Sequence, residues 1–175
     1  MYAHAYIEFL SHFHGDRDYF ECHELLEEHW KEDERGERKI HWVGLIQIAV
    51  SLYHQRRGNF RGAEKMLASS ERILTANQEP IEALGLDALE LLSRIRTRLE
   101  LIRQHEPYTH LNLPICDANL LTTCTEHCHD RGFIFADSSY IPDEHIVHKH
   151  MLRDRSDVIE EREKQLVLKK KNNKR

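Results

Sequence analysis

Apolar residues recur at helical spacing through most of the first hundred positions. Over residues 5–14, Tyr6, Phe9, Leu10 and Phe13 share one helical face. Gly15 is expected to end that helix in the left-handed conformation glycine tolerates. Asp16 or Asp18 can cap the next helix, and Asp18 followed by Glu21 makes a variant capping box. The second helix then runs to about Lys31 or Asp33 with an apolar stripe of Tyr19, Cys22, Leu26 and Trp30. Residues 32–39 are charged and contain Gly36, and they read as a loop.

A third helix is expected to start near Ile40 and stop before Gly58. It is apolar over most of its circumference, the pattern of a central, buried rod. Asn59 is placed to cap a fourth helix carrying Ala63, Met66, Leu67, Ile73 and Leu74, with residues 77–80 closing it. A fifth helix is expected over residues 83–105, with Leu86, Leu89, Leu92, Ile95, Leu99 and Ile102. The pattern is therefore all-α: two antiparallel hairpins and a fifth helix around one core, forming a bundle of about five helices.

Past Pro107 the pattern changes. Pro107, Pro114 and Pro142 interrupt the chain, and residues 117–131 read as one more helix capped by Asp117 and stopped by Gly132. Phe133, Ile134 and Phe135 form a short apolar run of undecided type. From Ser156 onward the charged sequence suits a frayed helix ending in a disordered basic tail, Lys169 to Arg175. The expected division is a helical bundle domain over 1–105 and a mixed helical and irregular C-terminal extension over 106–175.

Composition changes this picture little. With 25 basic and 30 acidic residues, bulk charge makes no case for nucleic acid as a partner, and the basic tail alone is weak support for one. No run is long and apolar enough for a membrane span, and the start has no signal-peptide pattern. Cys22, Cys116, Cys124 and Cys128 are expected as reduced thiols in the cytoplasm. Fourteen histidines make the net charge sensitive to mild acid.

The candidate chemistry sits on the second and third helices. His23 and Glu27, four apart, border the apolar stripe, with Glu24 at the rim. On the third helix Gln47 and His54 interrupt an apolar surface. A polar stripe there requires partners, so His23, Glu27, Gln47 and His54 are expected to meet between the two helices. Such a cluster reads as a hydrogen-bond network that fixes helix register. The alternatives are a divalent transition-metal site with His23, Glu24, Glu27 and His54 as ligands, or an acid–base pair. The metalloprotease pattern is excluded, because it needs a second histidine where Glu27 stands. Cys124, His127, Cys128 and His129 invite a zinc reading, but their spacing is irregular, and Leu120, Leu121, Cys124 and Cys128 read as a core stripe. His145, His148 and His150 form a third histidine group. Cys22 could be acidified beside His23 near a helix start, although its stripe position favours an inert thiol.

Residues 15–30, from Gly15 through Asp18, Glu21, His23, Glu24, Glu27 and Trp30, resemble the signature of family 309 among the domains of unknown function. So do Trp42-Val43-Gly44-Leu45-Ile46-Gln47, then Tyr53-His54 and Gly58-Asn59-Phe60-Arg61-Gly62-Ala63. The resemblance covers residues 5–74 and implies a small all-helical protein of a kind found in bacteria, archaea and plastids. Its signature positions fall on Glu21, His23, Glu24, Glu27, Trp30, Gln47 and His54. It supplies no catalytic residues, and it has Ala where this chain has Cys22.

Two classes of function stand open. One is a binding or scaffold module that presents a groove to a protein or peptide partner, with Glu21, Gln47 and Trp30 supporting the polar cluster. The other is a metal-dependent or acid–base hydrolytic enzyme using His23, Glu24, Glu27 and His54, with a divalent transition metal as cofactor. The sequence leaves the oligomeric state open, a homodimer included.

Overall fold

The computed structural model describes residues 2–152; the expected terminal helix and basic tail lie outside them. The described chain is all-helical, and its one β feature is an isolated antiparallel bridge between Leu86 and Ile115.

The first two helices, α1 (His4–His14) and α2 (Tyr19–Glu32), form a hairpin. Tyr6, Phe9, Leu10 and Phe13 of α1 are fully buried against Tyr19, Cys22 and Leu26 of α2. Each such side chain contributes roughly 1.5–3 kcal/mol by leaving water, which outweighs the weak intrinsic helicity of so short a segment. Asp18 caps α2 by accepting the Glu21 backbone N–H at 3.0 Å.

The turn between them differs from expectation. Gly15 is not left-handed, with φ −87°. A Cβ there would lie 2.7 Å from the Ser11 carbonyl oxygen, a clash with the end of α1 itself, and Cys128 Sγ at 3.1 Å and the Phe133 Cβ at 3.3 Å crowd the same space from a later part of the chain. The left-handed residue is Arg17, φ 56°. Its backbone strain is held by a fully buried guanidinium that donates to the carbonyls of Phe13 and Leu111 (both 3.0 Å) and to Asn112 Oδ1 (2.9 Å).

The second hairpin pairs α3 (Ile40–Arg56) with α4 (Phe60–Thr75). Gly58 turns it with φ +73°, and Asn59 caps α4 by accepting the Gly62 N–H. The two helices approach closely at Gly44, whose carbonyl accepts the Ser70 hydroxyl at 2.7 Å. Ser51 donates similarly to the Ala63 carbonyl at 2.7 Å. As expected, α3 is buried over most of its surface, but Val43, Gln47, Val50 and His54 form a half-buried stripe.

The expected fifth helix begins later than residue 83, and an unexpected short helix lies in the segment before it. Short α5 (Gln78–Ala83) precedes α6 (Ala88–Arg103), with Gly85 left-handed at φ +74° and Asp87 capping α6. Pro80 falls in the first turn of α5, where its missing N–H costs no helical bond, so it does not close off the helix. Leu86 leaves the helical register to bridge Ile115.

Beyond α6 the chain returns along the bundle. Leu111, Leu113, Leu120 and Cys124 join the same core as α1–α6. Helix α7 (Ala118–Asp130), capped by Asp117, packs on α1. Residues 133–135 form no strand. Two single-turn helices follow, α8 (Glu144–Val147) and α9 (Lys149–Leu152).

Candidate functional site

The half-buried stripe of α3 lies beside the matching edge of α2, and the two enclose a groove of about 210 Å³. Tyr19, Phe20 and His23 line it from α2, Val50, Tyr53 and His54 from α3, and Arg57 and His150 close it. The sequence spacing thus brings His23 and His54 to one groove from two helices.

The carboxylates sit on the other side of the His23 ring. Its Nδ1 lies 3.1 Å from Glu24 Oε1, and its Nε2 lies 3.6 Å from Glu27 Oε2. Glu27 also pairs with Lys31 at 3.0 Å. One ligand atom from each of His23, Glu24 and Glu27 falls within 4.8 Å of the other two. His54 stands apart from that set: its Nδ1 accepts from Asn59 Nδ2 at 3.1 Å. Partial burial, followed by the nearby Arg57 charge, holds the His54 pKa below the ordinary imidazole value.

The expected buried four-residue cluster is therefore corrected in two respects. The His23, Glu24 and Glu27 side chains are 30 %, 28 % and 35 % exposed, so they stand at an accessible edge and not in the core. Gln47 does not complete a network. Its Oε1 is shut from solvent with no hydrogen-bond partner among the described residues, and the same holds for Trp30 Nε1. The Trp30 ring is instead covered by the Arg38 guanidinium at 4.7 Å. Glu21 serves a different contact, accepting from Lys149 Nζ at 2.7 Å.

Several site residues were not legible in advance because their partners are distant in sequence. Lys149 reaches both Asp18 (2.6 Å) and Glu21. Tyr53 Oη lies 2.5 Å from His150 Nδ1 and also accepts the His150 backbone N–H at 3.2 Å. Arg57 donates to His150 Nε2 at 3.1 Å, and Arg56 donates to the Ile146 carbonyl at 3.3 Å. A second hollow, about 390 Å³, lies along the same edge between Glu21, Glu24 and Glu28 of α2 and His145, Lys149 and Leu152. Segment 144–152 thus straps across the α2–α3 face. The one advance signal was the third histidine group, which includes His150.

The cysteines play no part in this face. Burial, reinforced by Asp18 and Asp16, pushes the Cys22 thiol well above its ordinary value, so its nearness to His23 does not acidify it.

A family model described as Domain of unknown function (DUF309) matches residues 6–66. The chain is also 46% identical over 171 residues to the Uncharacterized protein YpuF of Bacillus subtilis (strain 168), spanning 98% of this chain and 98% of that protein. It belongs to the DUF309 family. The DUF309 match takes in α1 to α3 and the start of α4, so it contains His23, Glu24, Glu27 and His54 but neither Lys149 nor His150. The similarity to YpuF runs on through nearly the whole chain, strap included. No solved structure matches this DUF309 chain. Among its described residues no helix is long and apolar enough to cross a membrane.

Proposed function

We propose that this protein is a binding module whose α2–α3 face receives a short helical segment, carrying a lysine, from a partner protein. The observation that carries this reading is the seating of the chain's own residues 144–152 on that face. Lys149 binds two carboxylates of α2, while His150 meets Tyr53 and Arg57 of α3. The surface combines what such recognition needs: apolar walls from Phe20, Val50 and Tyr53, carboxylates at Glu21, Glu24 and Glu28 along the rim, and the buried Asp18 carboxylate behind them. Apolar walls contribute affinity, and the charged rim sets orientation and partner choice. The resident strap is then an internal competitor, and a partner peptide binds by displacing it. Four free cysteines suit a reducing compartment such as the cytoplasm.

The test uses the full chain and a fluorescent peptide copying residues 143–152. The expected result is weak, saturable binding to the wild type and tighter binding to Lys149→Ala, in which the strap is loosened. Binding should be lost when the lysine of the peptide is replaced by glutamate. A peptide that binds none of these proteins, or binds them all equally whatever its charge, overturns the reading.

A second reading has its own observation. The His23 ring stands between two carboxylates, Nδ1 3.1 Å from Glu24 and Nε2 3.6 Å from Glu27. One imidazole flanked by two carboxylates is an arrangement a metal-dependent or acid–base hydrolase would use. Zinc, manganese or nickel that raises the melting temperature of the wild type but not of His23→Ala would favour it. No shift with any of the three counts against it.

A further inference from the structure

A different group of side chains, remote from the α2–α3 face in sequence, meets where α1 packs on α7. His4 and Glu8 are one turn apart on α1, with His4 Nδ1 3.2 Å from Glu8 Oε2. His127 of α7 comes up beside them, its ring edge-on to that of His4 at a centroid distance of 6.1 Å and 80° between planes. One ligand atom from each of the three lies within 4.8 Å of the other two. His127 Nδ1 is closed off from solvent and has no hydrogen-bond partner among the described residues. A satisfied surface imidazole would not leave a ring nitrogen in that state.

We infer that His4, Glu8 and His127 form a binding site for a first-row divalent transition metal, with zinc the ion of choice. Two imidazoles and one carboxylate are borderline donors that suit such an ion and not calcium or magnesium, which take oxygen. Metal–nitrogen distances of about 2.0–2.1 Å at tetrahedral angles place ligand atoms roughly 3.3 Å apart. The His4–Glu8 pair is already at that separation, and a His127 ring nitrogen lies within 4.8 Å of both. His4 is 76 % exposed, so an ion reaches the site directly from solvent and a fourth position stays open to water.

The site also accounts for His127 of α7. Cys124 and Cys128 face the core, and burial pushes the Cys124 thiol up to about 12, which removes it as a ready ligand. His127 leans from the edge of that stripe toward α1. Bound metal would tie the start of the chain to the helix that follows the bundle. That separates this group from the one on α2, where a single imidazole and two carboxylates come from one helix.

Calorimetric titration of zinc chloride into metal-free, untagged full-length protein tests the assignment. One saturable site is expected, weakened about tenfold or more by His127→Ala and likewise by Glu8→Gln, and unchanged by His23→Ala. Glu8 is a partly exposed residue of a helix anchored by its other face, so Glu8→Gln remains informative if His127→Ala folds poorly. Zinc should raise the melting temperature of the wild type more than that of either variant. The inference is overturned if zinc shows no saturable binding, if both α1–α7 variants keep wild-type affinity, or if only His23→Ala loses it.

Discussion

The ring of His14 accepts the backbone N–H of Leu113 through Nε2 at 2.9 Å while its Nδ1–H donates to the Leu10 carbonyl at 2.8 Å. The first bond requires neutral imidazole, because a protonated Nε2 cannot accept. Burial, with the Arg17 charge adding to it, lowers the His14 pKa from 6.5 to about 3. The unfolded chain therefore binds a proton that the folded one refuses between those values. Stability from this residue is complete above about pH 6.5 and falls as pH drops toward 3, by on the order of 1.4 kcal/mol per pH unit. His41, His54 and His110 are shifted in the same direction, so the informative quantity is a difference. Urea unfolding from pH 7.5 to 5 should show a shallower loss for His14→Leu than for the wild type. Parallel curves would refute the assignment.

The all-α fold was largely written in local signals. The stripes of α1 to α4 and the caps at Asp18, Asn59 and Asp117 each depend on residues within one or two turns. The i, i+4 pair of His23 and Glu27 was legible for the same reason. Gly15 was legible only as a helix stop: the Ser11 carbonyl already excludes a Cβ there, and Cys128 and Phe133, more than a hundred positions later, crowd the same space in a way periodicity does not state. Leu86, expected in the fifth helix, falls outside it because of a partner distant in sequence, its bridge to Ile115. The roles of His127 and His150 were hidden because sequence periodicity states which face a side chain takes, not which helix will lie opposite.

Close approach of α3 and α4 makes Gly44 sensitive. A Cβ there would fall 2.5 Å from Leu74 Cδ2 and 2.9 Å from its Cγ, and Leu74 is itself buried. Overpacking typically costs about 1–3 kcal/mol, against about 1 kcal/mol gained in helix propensity. Gly44→Ala should lose about 1 kcal/mol in chemical denaturation, and Gly44→Val more. Gly36→Ala, with open space around the added methyl, should be close to neutral.

Removing the Arg17 fork should be among the costlier single changes. Arg17→Met fills a similar volume but leaves Phe13, Leu111 and Asn112 oxygens without their donor. A loss of about 3 kcal/mol is expected, since hydrogen bonds to a charged group are the strong ones and their buried acceptors stay desolvated. Arg17→Lys should recover only part, because an ammonium cannot span three acceptors in the guanidinium plane.

Thiol accessibility offers an inexpensive check of the α1–α7 packing. Cys22, Cys124 and Cys128 are buried and Cys116 is exposed. Reaction with a disulfide reagent under native conditions should release one equivalent quickly and the other three only on unfolding. Cys116→Ser should abolish the fast phase. Rapid reaction of two or more thiols would contradict the packing.

The contacts of Arg17 and His14 also set a schedule for synthesis. The donors and acceptors they need at Leu111, Asn112 and Leu113 lie as much as 99 positions downstream. A ribosome adding about 5–20 residues each second supplies them only after roughly 5–20 s. During that interval the nascent first hairpin holds a cation and an imidazole whose mates have not been made. Its final closure belongs to the late stage of translation.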